Sequence, residues 1–244
     1  MLLDVVITSH HRTEKLYKLL MSLGRCVLNN GLWDSVSFHI KITDINDKID
    51  LLDGRYQLPE IVMSRTKFYM IGEKFRAPSV WNHHLGYMKA DVMVYLTDDI
   101  EVAEDFLQQI MLQTAIYMPD YDGVIGFNQT NLEGVVRVCK AAFGAVGRVF
   151  AERFPDKQVF CPDYGHLYID TELEAAAKHA GRFWWCSEIQ LVHYHPAVNP
   201  DWYDATHEHI RNMYKAEDIR MWNARKVRNW IWGINFNRLH GVEV

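Results

Sequence analysis

Long apolar runs are missing from this chain of 244 residues. A membrane-spanning helix needs roughly 20 apolar residues in a row, and no stretch here supplies them. The opening MLLDVVITSHHR does not read as a secretory leader, because Asp4 breaks the apolar run and no basic segment precedes it. Cysteine is sparse: Cys26, Cys139, Cys161 and Cys186 stand far apart with no CxxC pair. That pattern argues against a disulfide scaffold or a zinc knuckle and for reduced thiols in the cytoplasm. Asn128-Gln129-Thr130 is formally a glycosylation sequon, but without a leader it reads as chance. Glycine-rich signatures are absent as well. There is no GxxxxGK[ST] phosphate loop, no GxGxxG after the first strand and no GxSxG elbow. A P-loop enzyme, a dinucleotide-binding enzyme of the usual kind and an α/β-hydrolase therefore have no support.

What is present is ordinary globular material, 49% apolar and 23% charged, in a length that suits one large domain or one domain with an appendage. Aromatics are plentiful, with 8 Trp, 12 Tyr and 11 Phe, and can fill a core or line a site where flat rings stack. The net charge of −5 is uneven. From His209 to His240 there are seven Lys and Arg (Arg211, Lys215, Arg220, Arg225, Lys226, Arg228, Arg238) against two acids, Glu217 and Asp218. Such a tail is either a solvated amphipathic helix or a surface for an anionic partner.

Periodicity predicts strands alternating with helices. Leu2–Thr8 is a buried strand, followed by the polar turn Ser9-His10-His11-Arg12 and a helix from Glu14 to about Leu23, with Thr13 as its N-cap. Further strands are expected at Val36–Thr43, Ile61–Met70, Val92–Leu96, Gly123–Phe127 and Ile189–His193. Helices are expected from Pro78 to about Met88, at Glu104–Met118 and Thr171–Ala180, and from His207 to about Trp232. This alternation argues for an α/β fold with a mostly parallel sheet. Ligands in such sheets gather at the carboxyl ends of the strands, which here carry Thr8-Ser9-His10, Asp44, Asp98-Asp99 and His193.

Asp98 and Asp99 end the apolar run VMVYL, where paired carboxylates repel and resist desolvation. They read either as a turn or helix cap, or as ligands of a hard divalent cation, Mg²⁺ or Mn²⁺. His193 and His195 fall on one side of their strand, and either can add a nitrogen to that site or simply hydrogen-bond. Asp170 and Glu172 open a helix, where acids complement the helix dipole but where a carboxylate can also serve as a general base.

The order of these pieces resembles the GT-A glycosyltransferases, in particular the family-two-like group. The likeness rests on DVVITSHHRTEKLYKLLMSL (4–23), KFRAPSVWNHHLGYMKADVMVYLTDDIEV (74–102), PDYGHLYIDTELEAAAKHAGRF (162–183) and IQLVHYHPA (189–197). It implies a GT-A domain over 1–200 with a basic, aromatic helical extension over 201–244. It implies a metal-dependent hexosyl transfer from a nucleotide sugar, most simply a UDP-sugar, with inversion. Asp99 would be the direct metal ligand of a DxD-type motif whose first acid is replaced by Thr97; Asp98 would face the ribose or metal waters. His193, or its neighbour His195, would be the later metal ligand. Asp44 would read the nucleobase, Thr8, Ser9 and Arg12 would line the nucleotide pocket, and Asn82 would lie near it. Asp170 would be the catalytic base, with Glu172 as its substitute.

The segment DYGHLYIDTEL…LVHYHPA is also similar to bacteriophage glycosyltransferase-like proteins, so one expected acceptor is a hydroxymethylated pyrimidine in DNA, inside a host cytoplasm. Basic and aromatic tail residues, Trp222, Arg225, Lys226 and Arg228 first among them and Trp230, Trp232 and Phe236 beside them, would then meet the DNA, and the target base would be flipped out. A saccharide or lipopolysaccharide acceptor is the rival, with the tail a lid, a membrane contact or plain packing. A nucleotidyltransferase would want glycines in the SHHR turn. A sugar- or nucleic-acid-binding protein without activity stays open because of Thr97.

Overall fold

A computed structural model describes residues 1–52, 56, 58–72, 75–130, 141–196 and 200–234. Lys74, Cys139, Ala197, Phe236, Arg238 and His240 lie outside the described residues. The elements in chain order are β1 (Leu3–Ser9), α1 (Thr13–Asn30), β2 (Val36–Ile42), α2 (Ile45–Leu52), α3 (Glu60–Ser64), β3 (Thr66–Met70), α4 (Ala77–Tyr87), β4 (Val92–Thr97), β5 (Ile100–Val102), α5 (Phe106–Tyr117), β6 (Val124–Thr130), β7 (Gly144–Gly147), α6 (Arg148–Ala151), α7 (Ile169–His179), β8 (Phe183–His193) and α8 (Ala205–Val227). The strands form one sheet in the order β3-β2-β1-β4-β7-β6-β8-β5. β1 pairs in parallel with β2 and β4, β2 with β3 and β6 with β8, whereas β7 and β5 run antiparallel to their neighbours. The α/β fold with a mostly parallel sheet is as the sequence indicated. Among the described residues no helix is long and apolar enough to cross a membrane.

The sheet is covered on both faces, which is why its central strands are apolar throughout rather than alternating. On one face Val5 and Ile7 meet α1 and α5 through Leu16, Leu19, Leu20, Leu23, Phe106 and Ile110. The four leucines of α1 recur at helical spacing, and burial of each contributes about 1.5–3 kcal/mol. Gly31 closes α1 in the left-handed region, φ 63°. On the other face Val6, Met93 and Tyr95 meet Trp81 and Leu85 of α4 and Ile169 and Leu173 of α7.

Several local expectations are corrected. The stretch Ile61–Met70 is split between α3 and β3. Arg12, not Thr13, is the N-cap of α1, and it makes no side-chain cap bond, because its guanidinium is drawn to carboxylates elsewhere. The Thr13 hydroxyl donates to Asp47 instead. β7, with sequence GAVG, carried no strand signal because two of its four residues are glycine. A Cβ at Gly144 would come within 2.7 Å of the Tyr95 hydroxyl and 2.5 Å of the Ile125 carbonyl oxygen, so only glycine fits.

The tail packs onto this body. The Tyr214 hydroxyl of α8 donates to the Phe75 carbonyl. Gly165 sits so close to the Tyr214 ring that any Cβ would collide with it. Trp222 stacks on Tyr168 with ring centroids 5.2 Å apart and planes 1° from parallel. The Trp232 indole donates to the Gln158 carbonyl.

Candidate functional site

In an open sheet the crevice forms where chain connections leave a strand pair in opposite directions. That point lies here between β1 and β4, and a cavity of about 900 Å³ opens beside it. β1 delivers Thr8 and Ser9 to its floor, and the turn after it delivers Arg12. The end of β4 delivers Asp98 and Asp99, and β8 delivers His193 and, just beyond, His195. The wall carries His166 from the approach to α7 and Asp170 from its first turn, and α8 closes it with His207, Arg211 and Lys215.

The two carboxylates are buried, with 3% and 4% of their surface exposed. A guanidinium bridges them: Arg12 Nη1 lies 3.1 Å from Asp98 Oδ1 and 3.2 Å from Asp99 Oδ2. Its Nη2 lies 2.7 Å from Asp204 Oδ1, at the N-cap of α8. Ser9 Oγ donates to Asp98 Oδ2 at 2.7 Å. Thr97, standing where a first acid was expected, donates its hydroxyl to Asp99 Oδ1 at 2.5 Å, so it holds the carboxylate in place. His193 Nε2 and His207 Nε2 face Asp99 Oδ2 at 3.7 and 3.6 Å. Gln129 Oε1 lies 3.1 Å from His193 Nδ1 and steadies that ring beside Asp99.

These surroundings push the two acids apart. Burial, with the Asp99 charge added, raises Asp98, although Arg12 opposes it. Burial would raise Asp99 too, but His193, His207 and Arg12 hold it well below the ordinary carboxylate range. Asp99 is therefore a standing anion. Burial keeps His166 below the usual imidazole range despite Asp170 and Asp99 nearby, which leaves a neutral ring beside Asp170.

The donor set around Asp99 fits a divalent cation in kind. One carboxylate oxygen faces two imidazole nitrogens across less than 4 Å. Nitrogen donors favour Mn²⁺ over Mg²⁺, which prefers oxygen throughout. His195 lies beside this set, its ring 4.9 Å from that of His193 and 5.0 Å from that of His207.

Not every residue singled out in the sequence arrives at the cavity. Asp44 stands outside the lining, paired with His11 at 3.2 Å. Asn82 spends both ends of its amide on the Phe160 backbone, at 2.6 and 2.9 Å, and so positions a cavity-lining ring rather than reaching a ligand. Glu172 is 1% exposed and locked to Arg225 at 2.5 Å. That removes Glu172 as a second base and Arg225 as a free cation; Arg225 also reaches Asp163 at 3.3 Å. Trp222 is taken up by Tyr168. Lys226 and Arg228 are exposed and away from the cavity.

The sequence reading missed four contributors. Asp204 caps α8 by a capping box with His207 and binds Arg12 and Lys15. His207 faces Asp99. Asp218 accepts three backbone N–H bonds, from Gly165, His166 and Leu167 at 2.7–2.9 Å, and so fixes the loop that leads to Asp170. Tyr168 in that loop takes a left-handed φ of 65°, a costly conformation for a non-glycine and one that clusters at functional sites. The missed signal was periodicity: Tyr214, Asp218, Trp222 and Arg225 share one helical face, so two charges sit on a stripe that packs inward.

No protein-family model matches the sequence, and a comparison with curated proteins finds no match. Solved structures do match in shape. TarS residues 1–349 from S. aureus superposes with a TM-score of 0.55 at 11% identity, over 87% of this chain and 69% of that one. The same protein in complex with UDP-GlcNAc gives 0.56 at 12% identity, over 79% of this chain and 58% of that one. The mannosyltransferase PcManGT from Pyrobaculum calidifontis, in complex with GDP-Man and Mn²⁺, gives 0.53 at 14%, over 78% of this chain and 56% of that one. The fold is the GT-A-like glycosyltransferase fold. This chain spans little more than half the length of the two ligand-bound structures. Within the GT-A-like frame, the cavity beside β1 and β4 is the place where the sheet topology directs a ligand.

Proposed function

We propose that the chain is a nucleotide-sugar glycosyltransferase. One observation carries the reading: a single cavity holds a buried carboxylate pair with cationic and imidazole partners on its floor, and a second carboxylate, Asp170, in its wall. A diphosphate leaving group needs positive charge, and an acceptor hydroxyl needs a base. The fold supports the reading, since neighbours of the same shape hold UDP-GlcNAc and GDP-Man. A UDP-sugar is the donor we assign first. Thr8, Ser9 and Asp98 line its nucleotide side.

A divalent cation held by Asp99 and His193, Mn²⁺ by its donor set, would supply charge neutralisation at the departing diphosphate. Arg12 and Lys215 stand on the same cavity, where their side chains can meet those oxygens. Asp170 accepts the proton of the acceptor hydroxyl as its oxygen attacks the anomeric carbon. Attack from the face opposite the diphosphate inverts that carbon. Asp218 holds the loop that sets where Asp170 stands.

For the acceptor, Arg211 and Lys215 at the cavity favour a molecule that carries negative charge. DNA with hydroxymethylated pyrimidines has that character, and so does a phosphate-bearing saccharide. A second reading rests on Arg12. It already places a cation on both carboxylates, which favours transfer without any metal.

The test incubates the protein with UDP- and GDP-sugars, with Mn²⁺, Mg²⁺ or EDTA, and with or without hydroxymethylated DNA. Released nucleotide diphosphate and DNA mass are measured. A hexose-sized mass gain on DNA establishes the DNA acceptor. Donor hydrolysis without it directs the search to saccharides, and activity in EDTA supports the metal-free reading. No binding of any nucleotide sugar overturns the proposal. Asp170→Asn is expected to lower turnover by roughly 10²–10⁴-fold while donor binding is kept; unchanged turnover would refute its role as base.

A further inference from the structure

The carboxyl end of the sheet does not hold the only cluster of ligating side chains. Asp4 near the start of β1, His39 in β2 and His84 in α4 turn toward one another on the α4 side of the sheet. Asp4 Oδ1 lies 3.2 Å from His39 Nε2, and Asp4 Oδ2 lies 2.9 Å from His84 Nε2. All three ligand atoms fall within 4.8 Å of one another, and among the described residues this is the one Asp/Glu/His/Cys cluster so tight. By the rise of a strand, Asp4 stands roughly 16 Å from Ser9 and the cavity floor.

We propose that Asp4, His39 and His84 form a zinc site, separate from the cavity. Two imidazole nitrogens and one carboxylate are a donor set that Zn²⁺ takes readily and Mg²⁺ does not. The outer nitrogens are arranged as metal-bound imidazoles require. His39 Nδ1 lies 3.2 Å from the Tyr69 hydroxyl, and His84 Nδ1 lies 3.1 Å from the Tyr87 hydroxyl. In the metal-free chain each Nε2 proton faces Asp4. With zinc bound, the proton moves to Nδ1 and is donated to the phenol, leaving the Nε2 lone pair for the metal.

All three ligands stand on regular elements, where geometry is held most firmly. A fourth position opens to a cavity of about 380 Å³ lined by Asp4, His39, Tyr69 and Tyr87, room enough for a water on the metal. Lys41 is the rival cation. Its ammonium is engaged elsewhere, donating to the Tyr87 hydroxyl at 2.9 Å and sitting 3.5 Å over the Tyr69 ring.

The experiment strips the protein with a chelator, then titrates Zn²⁺ by calorimetry and Co²⁺ by visible absorption. Read in Asp99→Asn, so that the cavity ligands do not contribute, the expected result is one Zn²⁺ per chain and the d–d bands of low-coordinate Co²⁺. Affinity should fall at least about tenfold when Asp4→Asn, His39→Gln or His84→Gln is added to it. Asp99→Asn separates this site from the cavity, so either proposal can fail alone. His84 is wholly buried and its variant can fail to fold; Asp4, 13% exposed, then carries the comparison. No stoichiometric Zn²⁺ uptake by the stripped protein, or uptake that survives both Asp4→Asn and His39→Gln, would overturn the site and leave a hydrogen-bonded buried network.

Discussion

Two arginines lie buried on carboxylates, and they do different things. Arg12 and Arg225 expose 8% and 10% of their side chains, and each binds more than one acid. By burial and pairing they are alike. Their surroundings separate them. Arg12 lies on the wall of the large cavity, beside two imidazoles that face the same carboxylate. Arg225 reaches from α8 to α7, against Glu172, Cys161 and Tyr164, and does not line that cavity. A buried ion pair marks a site only when a ligand can approach it; otherwise it fastens two elements together.

The comparison can be broken by substitution. Arg225→Met should have the largest effect, because it strands the buried Glu172 charge; the expected loss is about 3–5 kcal/mol. Adding Glu172→Leu should recover most of it. Urea midpoints read both, and donor affinity of the folded protein should not change. Arg12→Met should cost less, about 1.5–3 kcal/mol, because Asp98 keeps the Ser9 hydroxyl and Asp99 keeps the Thr97 hydroxyl and two imidazoles. Added Mn²⁺ should return part of that loss, since a cation can reach Asp99 through the cavity, and UDP-sugar affinity should fall about tenfold, roughly 1.4 kcal/mol. If Mn²⁺ rescues Arg225→Met equally, or if both variants weaken the donor alike, the distinction fails.

Asp204→Asn sharpens the Arg12 side with a smaller effect. Burial would raise Asp204, but Arg12 and Lys15 hold it below the usual range. A depressed carboxyl adds stability above its unfolded pKa, near 3.9, and loses it as pH falls. Wild type should therefore lose stability between roughly pH 5 and 2 more steeply than Asp204→Asn. Equal slopes of urea midpoint against pH would detach Asp204 from the network.

Much of the frame was legible. Strands buried on both faces announce themselves as apolar runs, and β1, β2, β4 and β6 all did. β5 has three residues and β7 two glycines, too little pattern to read. β8 begins six residues earlier than its apolar end suggests, since Trp185, Ser187 and Glu188 are exposed and the ladder to β6 shifts register after Phe127. At the site, Asp98, Asp99, His193 and Asp170 were legible because each directly abuts a strand end or helix start. Asp204 and His207 were not. They reach Arg12 across more than 190 residues of chain, and no local pattern records such a meeting. The tail misled in the opposite direction. Trp222 and Arg225 looked like a surface for DNA by composition, yet their helical spacing turns them toward the body.

The bond between Arg12 and Asp204 also orders events during synthesis. A ribosome extrudes β1 and the Arg12 turn early and α8 late. Until α8 emerges, Asp99 lacks His207, Arg12 lacks its third carboxylate, and the loop before Asp170 lacks the Asp218 clamp. A nascent chain halted before α8 presents the sheet with an unfinished cavity.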